Sequence, residues 1–249
     1  MNATPFTLEG KRILITGGAS GIGKATSLLC AEMGADVILV DLNEDGLKKT
    51  ASEISKDSTI VFAVNLTDEN QLNGMIESLP KLDGVVSNAG IVYSLMAKFN
   101  EPKDAEKIFS INTFSHINLI QGLMRNKKLN KGASIVFTSS MSGVYCGFVG
   151  GSLYGATKSA LAGYAKALAV ELAPRGIRVN TVHPGMIETP LTKGTALSQD
   201  VLDEDAKNYP LGRYGKPEEV AAAMVYLLSD ATVWMTGTQL LIDGGYSVK

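Results

Sequence analysis

Tyr154 and Lys158 stand four residues apart in a stretch of helix-compatible composition, 153–172, so both fall on one helix face with an ammonium beneath a phenol. A phenol titrates near pH 10 in water and is a poor base at neutral pH, but an adjacent positive charge favours its ionised form. The pair can therefore pass a proton to or from a substrate oxygen. Far upstream, Thr16-Gly17-Gly18-Ala19-Ser20-Gly21-Ile22-Gly23 follows a short apolar run and opens a helical pattern. Glycines at 17, 21 and 23 let the backbone turn sharply and approach a pyrophosphate, whose charge meets the unpaired N–H groups of the helix start. Asp41 closes the next apolar run, where a carboxylate can accept hydrogen bonds from the adenosine ribose hydroxyls and repels a phosphate. A dinucleotide, NAD rather than NADP, beside a proton relay is the equipment of carbonyl/alcohol redox chemistry.

The elements that must position these groups read as an alternation. Short apolar runs at 12–16, 36–41, 59–64, 82–87, 134–138, 177–182 and 239–242 suit strands buried on both faces. Helical composition lies between them at 24–33, 44–55, 102–127, 153–172 and 217–228. The pattern predicts an α/β fold: a Rossmann-like, doubly wound parallel sheet of about seven strands with helices on both faces, as one domain over 1–249. The polar, turn-rich stretch 189–214 follows a strand end, where open α/β sheets bind ligands, and is the expected substrate lid. Its Leu191, Leu197, Val201, Leu202 and Tyr209, set among Lys193, Asp200, Asp203 and Glu204, suit a helix with one apolar face. Tyr93, Tyr145 and Phe148 could add an aromatic wall to the substrate space, or pack in a core or interface.

The glycine loop resembles the T-G-x-x-x-G-x-G signature of the short-chain dehydrogenase/reductase family, and Tyr154-to-Lys158 its Y-x-x-x-K. The resemblance covers nearly the whole chain. It implies that Lys158 also holds the nicotinamide ribose, and that Asn112, in Ile111-Asn112-Thr113, holds a water linking Lys158 to solvent. Ser140-Met141-Ser142-Gly143 is similar to the family's S-x-x-G, which makes Ser140 the substrate-orienting hydroxyl, with Ser139 and Ser142 as rivals. Ser140 stands one residue farther from Tyr154 than in relatives, so an insertion falls in 144–153. The loop implies cofactor contacts from Gly17, Ser20, Gly21, Ile22 and Gly23. Ser20 occupies the place where NADP-preferring relatives often carry a basic residue, and Asp41-Leu42 follows at the ribose. Asn65-Leu66 stands where relatives usually place an Asp that receives the adenine amino group, a bond Asn65 can accept through its amide oxygen. Ser87-Asn88-Ala89-Gly90 resembles N-N-A-G with its first Asn replaced, and places Asn88, Ala89 and Gly90 beside the adenosine half. His183-Pro184-Gly185-Met186-Ile187-Glu188-Thr189 resembles P-G-x-x-x-T, in which Pro184 and Gly185 shape a turn while Ile187 and Thr189 meet the carboxamide. His183 reads as a structural strand-end residue, since Tyr154 already fills the role of acid and base.

With 23 Lys and Arg against 25 Asp and Glu, the chain carries a formal charge of -2 and no global positive field to hold nucleic acid or an anionic membrane. Two cysteines and two histidines permit neither a disulfide framework nor a metal cluster. No signal peptide or membrane-spanning run is evident, and a reducing cytoplasm fits best. Arg125, Lys127, Lys128 and Lys131 cluster at a helix end, as solvated complements to its dipole or, by the resemblance, as a docking patch for an acidic acyl carrier protein. Carrier-protein reductases of the family generally use NADPH, which Asp41 opposes. The closing segment, from Trp234-Met235-Thr236-Gly237-Thr238 to Tyr246, implies by resemblance a homotetramer. The expectation is an NAD-dependent enzyme interconverting a secondary alcohol and a ketone. A 3-oxoacyl-[acyl-carrier-protein] reductase is the alternative, and a dinucleotide-binding sensor or scaffold the competitor from another class.

Overall fold

The computed structural model describes residues 4–54, 59–190 and 199–249. Seven parallel strands form one sheet in the order β3-β2-β1-β4-β5-β6-β7. They are β1 (Arg12–Thr16), β2 (Asp36–Asp41), β3 (Ile60–Ala63), β4 (Leu82–Ser87), β5 (Leu129–Thr138), β6 (Arg178–Pro184) and β7 (Gln239–Ile242). The order reverses between β1 and β4, so the crevice beyond their carboxyl ends is the place where such sheets bind ligands.

Successive side chains on a strand point to opposite faces, and here both faces are covered. Ile13 and Ile15 of β1, with Val37 and Leu39 of β2, pack against α1 (Gly21–Glu32), α2 (Glu44–Ser52) and α8 (Pro217–Leu228) through Cys30, Leu47 and Met224. Leu14, Ile38 and Val40 turn to the other face, where α3 (Glu69–Ser78), α5 (Ser115–Arg125) and α6 (Ser152–Leu172) bring Ile76, Leu123 and Leu161. Each fully buried aliphatic side chain favours the folded state by about 1.5–3 kcal/mol over exposure. That is why unbroken apolar runs become central strands here.

Three expectations need correction. The helix expected over 102–127 runs unbroken to Arg125 but is not all α: α4 (Pro102–Phe109) and α5 flank a π-helical turn, Ser110–Phe114, in which Asn112 is buried. Helix α3 is additional to the sequence reading. Its start is set by the Asp68 side chain, which accepts from Gln71 N, and Leu72, Met75 and Ile76 bury one face. Finally, β5 begins at Leu129 rather than 134. Its ladder to β4 jumps from Leu82–Leu129 to Gly84–Ser134, and Gly132 sits in that irregularity at φ 81°. No described helix is long and apolar enough to cross a membrane.

Candidate active site

The glycine loop is pinned before it reaches any ligand. Gly17 N and Gly18 N donate to Val40 O at 2.8 and 3.2 Å, which ties the loop to β2. Gly17 and Gly21 adopt φ of 73° and 52°, and a Cβ at Gly23 would lie 2.0 Å from Gly17 O. Only glycine lets the turn close this tightly. Helix α1 then starts without side-chain help: Ser20 makes no capping hydrogen bond and the first turn has no acidic residue. The first N–H groups of the helix are left for an anion, with the dipole favouring negative charge. The chain's own residues thus fit a pyrophosphate.

Asp41 ends β2 beside the loop. Its Oδ2 accepts from Ala19 N at 3.2 Å and its Oδ1 from Asn43 N at 3.0 Å, so the carboxylate is fixed beside the glycine loop with acceptor capacity to spare. Leu42 next to it is exposed. The expected role of Asn65 changes. Its amide oxygen already accepts from Thr67 N and Thr67 Oγ1, at 3.0 and 2.8 Å, so both lone pairs are engaged. Its NH2 has no partner among the described residues, so the group it has left to offer is a donor. Leu66 packs against the core.

Asn88 serves as a strut. Its Nδ2 donates to Thr16 O at 3.1 Å and its Oδ1 accepts from Thr138 Oγ1 at 2.9 Å, which joins the ends of β1, β4 and β5. Thr16 Oγ1 in turn accepts from Asn88 N and Ala89 N. Ala89 O receives a hydrogen bond from His116 Nε2 at 2.7 Å, because a carbonyl can only accept. Nδ1 is then the acceptor, and the Ser87 hydroxyl donates to it at 2.6 Å. Burial, with Lys158 adding to it, drives the His116 pKa down to about 3, so the ring stays neutral. Ser87, which replaces an Asn of the signature, is therefore matched to a buried His116 that sequence reasoning assigned no role.

At the carboxyl end of β5, Lys158 Nζ donates to Thr138 O at 3.0 Å and lies 5.9 Å from the centre of the Tyr154 ring. Burial lowers Lys158 to about 8. Tyr154 is displaced upward, by burial first, while a hydrogen bond from Ser140 pulls the other way. The adjacent charge expected to favour the phenolate must therefore act against desolvation. In the protein by itself, desolvation outweighs the Ser140 hydrogen bond. The serine ambiguity narrows as well. Ser139 Oγ donates to Lys158 O at 2.9 Å and is committed to α6, whereas Ser140 Oγ faces the phenol. Ser142 is buried beside Gly155, where a Cβ would lie 3.3 Å from its hydroxyl.

Asn112 is fully buried, and its side chain clamps Ile91: Oδ1 accepts from Ile91 N and Nδ2 donates to Ile91 O, both at 2.8 Å. Gly90 is held between them and the lysine. A Cβ there would lie 3.1 Å from Asn112 Oδ1 and 3.5 Å from Lys158 Nζ. The side chain thus ties the π-helical turn to the segment after β4.

Across the crevice, the turn after β6 is fixed on both sides. Gly185 N donates to Ile242 O, while Gly215 N and Glu188 N exchange hydrogen bonds with Met186 O and Gly215 O. Pro184 ends β6, and Ile187 and Thr189 are buried. The Thr189 methyl lies 3.2 Å from where Gly21 would carry a Cβ, so the turn after β6 comes close against the glycine loop.

Residues 17–247 match a family profile described as enoyl-(acyl carrier protein) reductase. The chain is 38% identical over 244 residues to the 3-oxoacyl-[acyl-carrier-protein] reductase FabG of Thermotoga maritima, covering 96% of this chain and 98% of that protein. A short-chain type dehydrogenase/reductase from Mycobacterium marinum superposes with a TM-score of 0.91 at 36% identity over 98% of both chains. The 3-ketoacyl-(acyl-carrier-protein) reductase of Brucella melitensis complexed with NADH gives 0.88 at 30% identity, over 97% of this chain and 100% of that one. The chain belongs to the short-chain dehydrogenase/reductase family. It is an oxidoreductase whose fold binds a nicotinamide dinucleotide.

Two surface expectations of this short-chain dehydrogenase/reductase are altered by its architecture. Lys128 Nζ donates to Glu77 O and Leu79 O, closing the end of α3, and the cluster of Arg125, Lys127 and Lys131 surrounds the amino end of β5. Thr138, which receives Lys158, is at the opposite end of that strand. Within one chain the cluster and Lys158 therefore lie at opposite rims of the sheet. In the lid, Leu191, Lys193 and Leu197 lie outside the described residues. Helix α7 (Gln199–Ala206) follows, but Tyr209 is not a lid face. It is buried against Tyr214 and Tyr246, and its hydroxyl accepts from Met186 N at 3.1 Å, which fastens the lid's end to the turn after β6. Tyr93 Oη donates to Asn100 Oδ1, and Tyr145 sets its ring edge-on to His183.

Proposed function

We propose that this protein is an NAD(H)-dependent reductase of the 3-oxo group of an acyl thioester, forming the secondary alcohol, with the reverse oxidation available at the same site. The observation that carries the reading is the convergence of Ser140, Tyr154 and Lys158 at the crevice between the glycine loop and the Pro184–Thr189 turn. The ketone class is supported by the names of the Thermotoga and Brucella relatives. The choice of NAD rests on Asp41 and on Ser20, which brings no positive charge to the place a ribose phosphate would occupy. That a relative was solved with NADH makes the two compatible.

The Gly17–Gly23 loop and the N–H groups of α1 hold the pyrophosphate, Asp41 the adenosine ribose, Asn65 the adenine edge, and Ile187 and Thr189 the carboxamide. When bound, the dinucleotide supplies the hydride that reduces the carbonyl carbon. Ser140 Oγ hydrogen-bonds the substrate oxygen and orients it. Tyr154 Oη gives that oxygen its proton, and in oxidation takes it back. Lys158 holds the nicotinamide ribose, and its charge joins that of an oxidised ring in favouring the phenolate. Asn112 fixes Gly90 and Ile91 so that the wall above Lys158 stays thin. Assembly as a homotetramer is carried as part of this reading, with the exposed Val233 and Trp234 at its contacts.

Absorbance at the reduced nicotinamide band tests the reading, with NADH or NADPH against 3-oxoacyl thioesters, simple ketones and, in reverse, polyols. Turnover of the thioesters with NADH is expected, and Tyr154→Phe should lower kcat by about 100- to 10,000-fold while cofactor still binds. Full turnover in Tyr154→Phe would sink the mechanism. Cofactor binding without turnover of any of these substrates would favour a sensor or scaffold.

A further inference from the structure

We propose that His183 is a positioning residue that holds the main chain of Ser140, and through it the hydroxyl facing Tyr154. Beyond Thr138 the pairing of β5 with β6 continues loosely: Ser139 N donates to Val182 O at 2.9 Å and Met141 N to Pro184 O at 3.0 Å. Pro184 has no N–H, so β6 cannot return a hydrogen bond between those two rungs. The missing rung is the one to Ser139 O, and the His183 ring holds the next carbonyl along. His183 Nδ1 lies 2.9 Å from Ser140 O, a carbonyl that can only accept, so the proton is on Nδ1. Among the described residues no backbone N–H reaches that carbonyl. The ring is itself held: Nε2 is 2.7 Å from the Thr181 hydroxyl, and Tyr145 packs edge-on at 5.3 Å between ring centres. His183 is fully buried, and burial lowers its pKa. It contacts neither Tyr154 nor the crevice by any hydrogen bond. Its one link to the reacting groups is Ser140, and a misplacement there of the order of 1 Å can cost about 100-fold in rate.

The inference rests on the reading of Ser140 as the hydroxyl that orients the substrate oxygen. Asn and Leu have the same branched shape, and Asn Nδ2 falls where His Nδ1 was, so His183→Asn keeps the donor and His183→Leu removes it. With a 3-oxoacyl thioester and NADH, His183→Leu should lower kcat by about 10- to 100-fold with KM for NADH unchanged. His183→Asn should restore most of that loss. In a Ser140→Ala background, the two variants should turn over equally, because the residue they act through is gone. Equal kcat for His183→Leu and wild type overturns the inference and leaves the Ser140 reading standing. Full turnover in Ser140→Ala overturns both. If His183→Leu does not fold, the wild-type protein answers: with two histidines in the chain, ring 15N spectra assign readily. A proton on Nδ1 of His183, with a shift that moves when a ketone analogue binds beside Ser140, is expected. A proton on Nε2 alone overturns the proposal.

Discussion

Lys158 gives its ammonium to Thr138 O at 3.0 Å, so the charge beneath Tyr154 is anchored to the end of β5 and buried there at 4% exposure. Burial takes its pKa from 10.5 to about 8. Between those values the unfolded chain keeps a proton that the folded chain has released, so stability from this group rises with pH. The melting temperature of wild type relative to Lys158→Met should therefore move in favour of wild type from pH 8 to pH 10. A difference independent of pH would exclude a depressed lysine.

His116 gives the same sign in a different window, at acid pH. Its folded value of about 3 lies below 6.5, so as pH falls through that window the unfolded chain takes up a proton first and the fold weakens. At pH 5 the loss amounts to about 2 kcal/mol relative to pH 7. Urea unfolding of wild type should show this decline and His116→Gln should not. Equal slopes in the two proteins would mean that the ring is charged or exposed.

Asp41→Ala should reduce the preference for NAD over NADP by about 10- to 100-fold, the worth of a hydrogen bond to a charged group together with relief of repulsion. Ala19 N loses its acceptor in the same variant. Steady-state kcat/KM with both cofactors measures the effect, and unchanged discrimination would clear Asp41 of the role.

Glycines in this chain are not equivalent. Gly23→Ala places a methyl 2.0 Å from Gly17 O and must separate α1 from the loop, so dinucleotide binding should fall below detection in a fluorescence titration. Gly163, in the interior of α6, has nothing within 4 Å of its Cβ position. Gly163→Ala should stabilise the protein by about 0.5–1 kcal/mol through helix propensity, with binding intact. A destabilised Gly163→Ala would show that this helix face is covered.

Buried strands were legible because a parallel sheet covered on both faces needs unbroken apolar runs, and β1, β2, β4 and β7 lie where those runs lie. Helix α3 was less visible because its buried face is only Leu72, Met75 and Ile76 within a polar segment, although Asp68 as a cap was a signal. The π turn at Asn112 has no local signature. It depends on hydrogen bonds to Ile91, which is distant in sequence. The positions of Tyr154, Lys158 and the loop glycines follow from spacing alone. Partners do not: which lone pairs of Asn65 are taken, which serine faces the phenol, and that Ser87 meets His116 are all settled by contacts between segments far apart in the chain. Electrostatics was the least legible, since the sign at Tyr154 depends on burial that no motif encodes.

All seven strands run the same way, so the chemistry stands at one rim while Lys128 and its capped helix stand at the other. β5, paired along the six residues of β4, keeps the two apart by roughly 20 Å. At that separation the effects of substitutions should simply add, because neighbours beyond about 10 Å rarely couple. The far rim can therefore be hardened against heat while the near loops are rewritten for another ketone, and neither task need wait for the other.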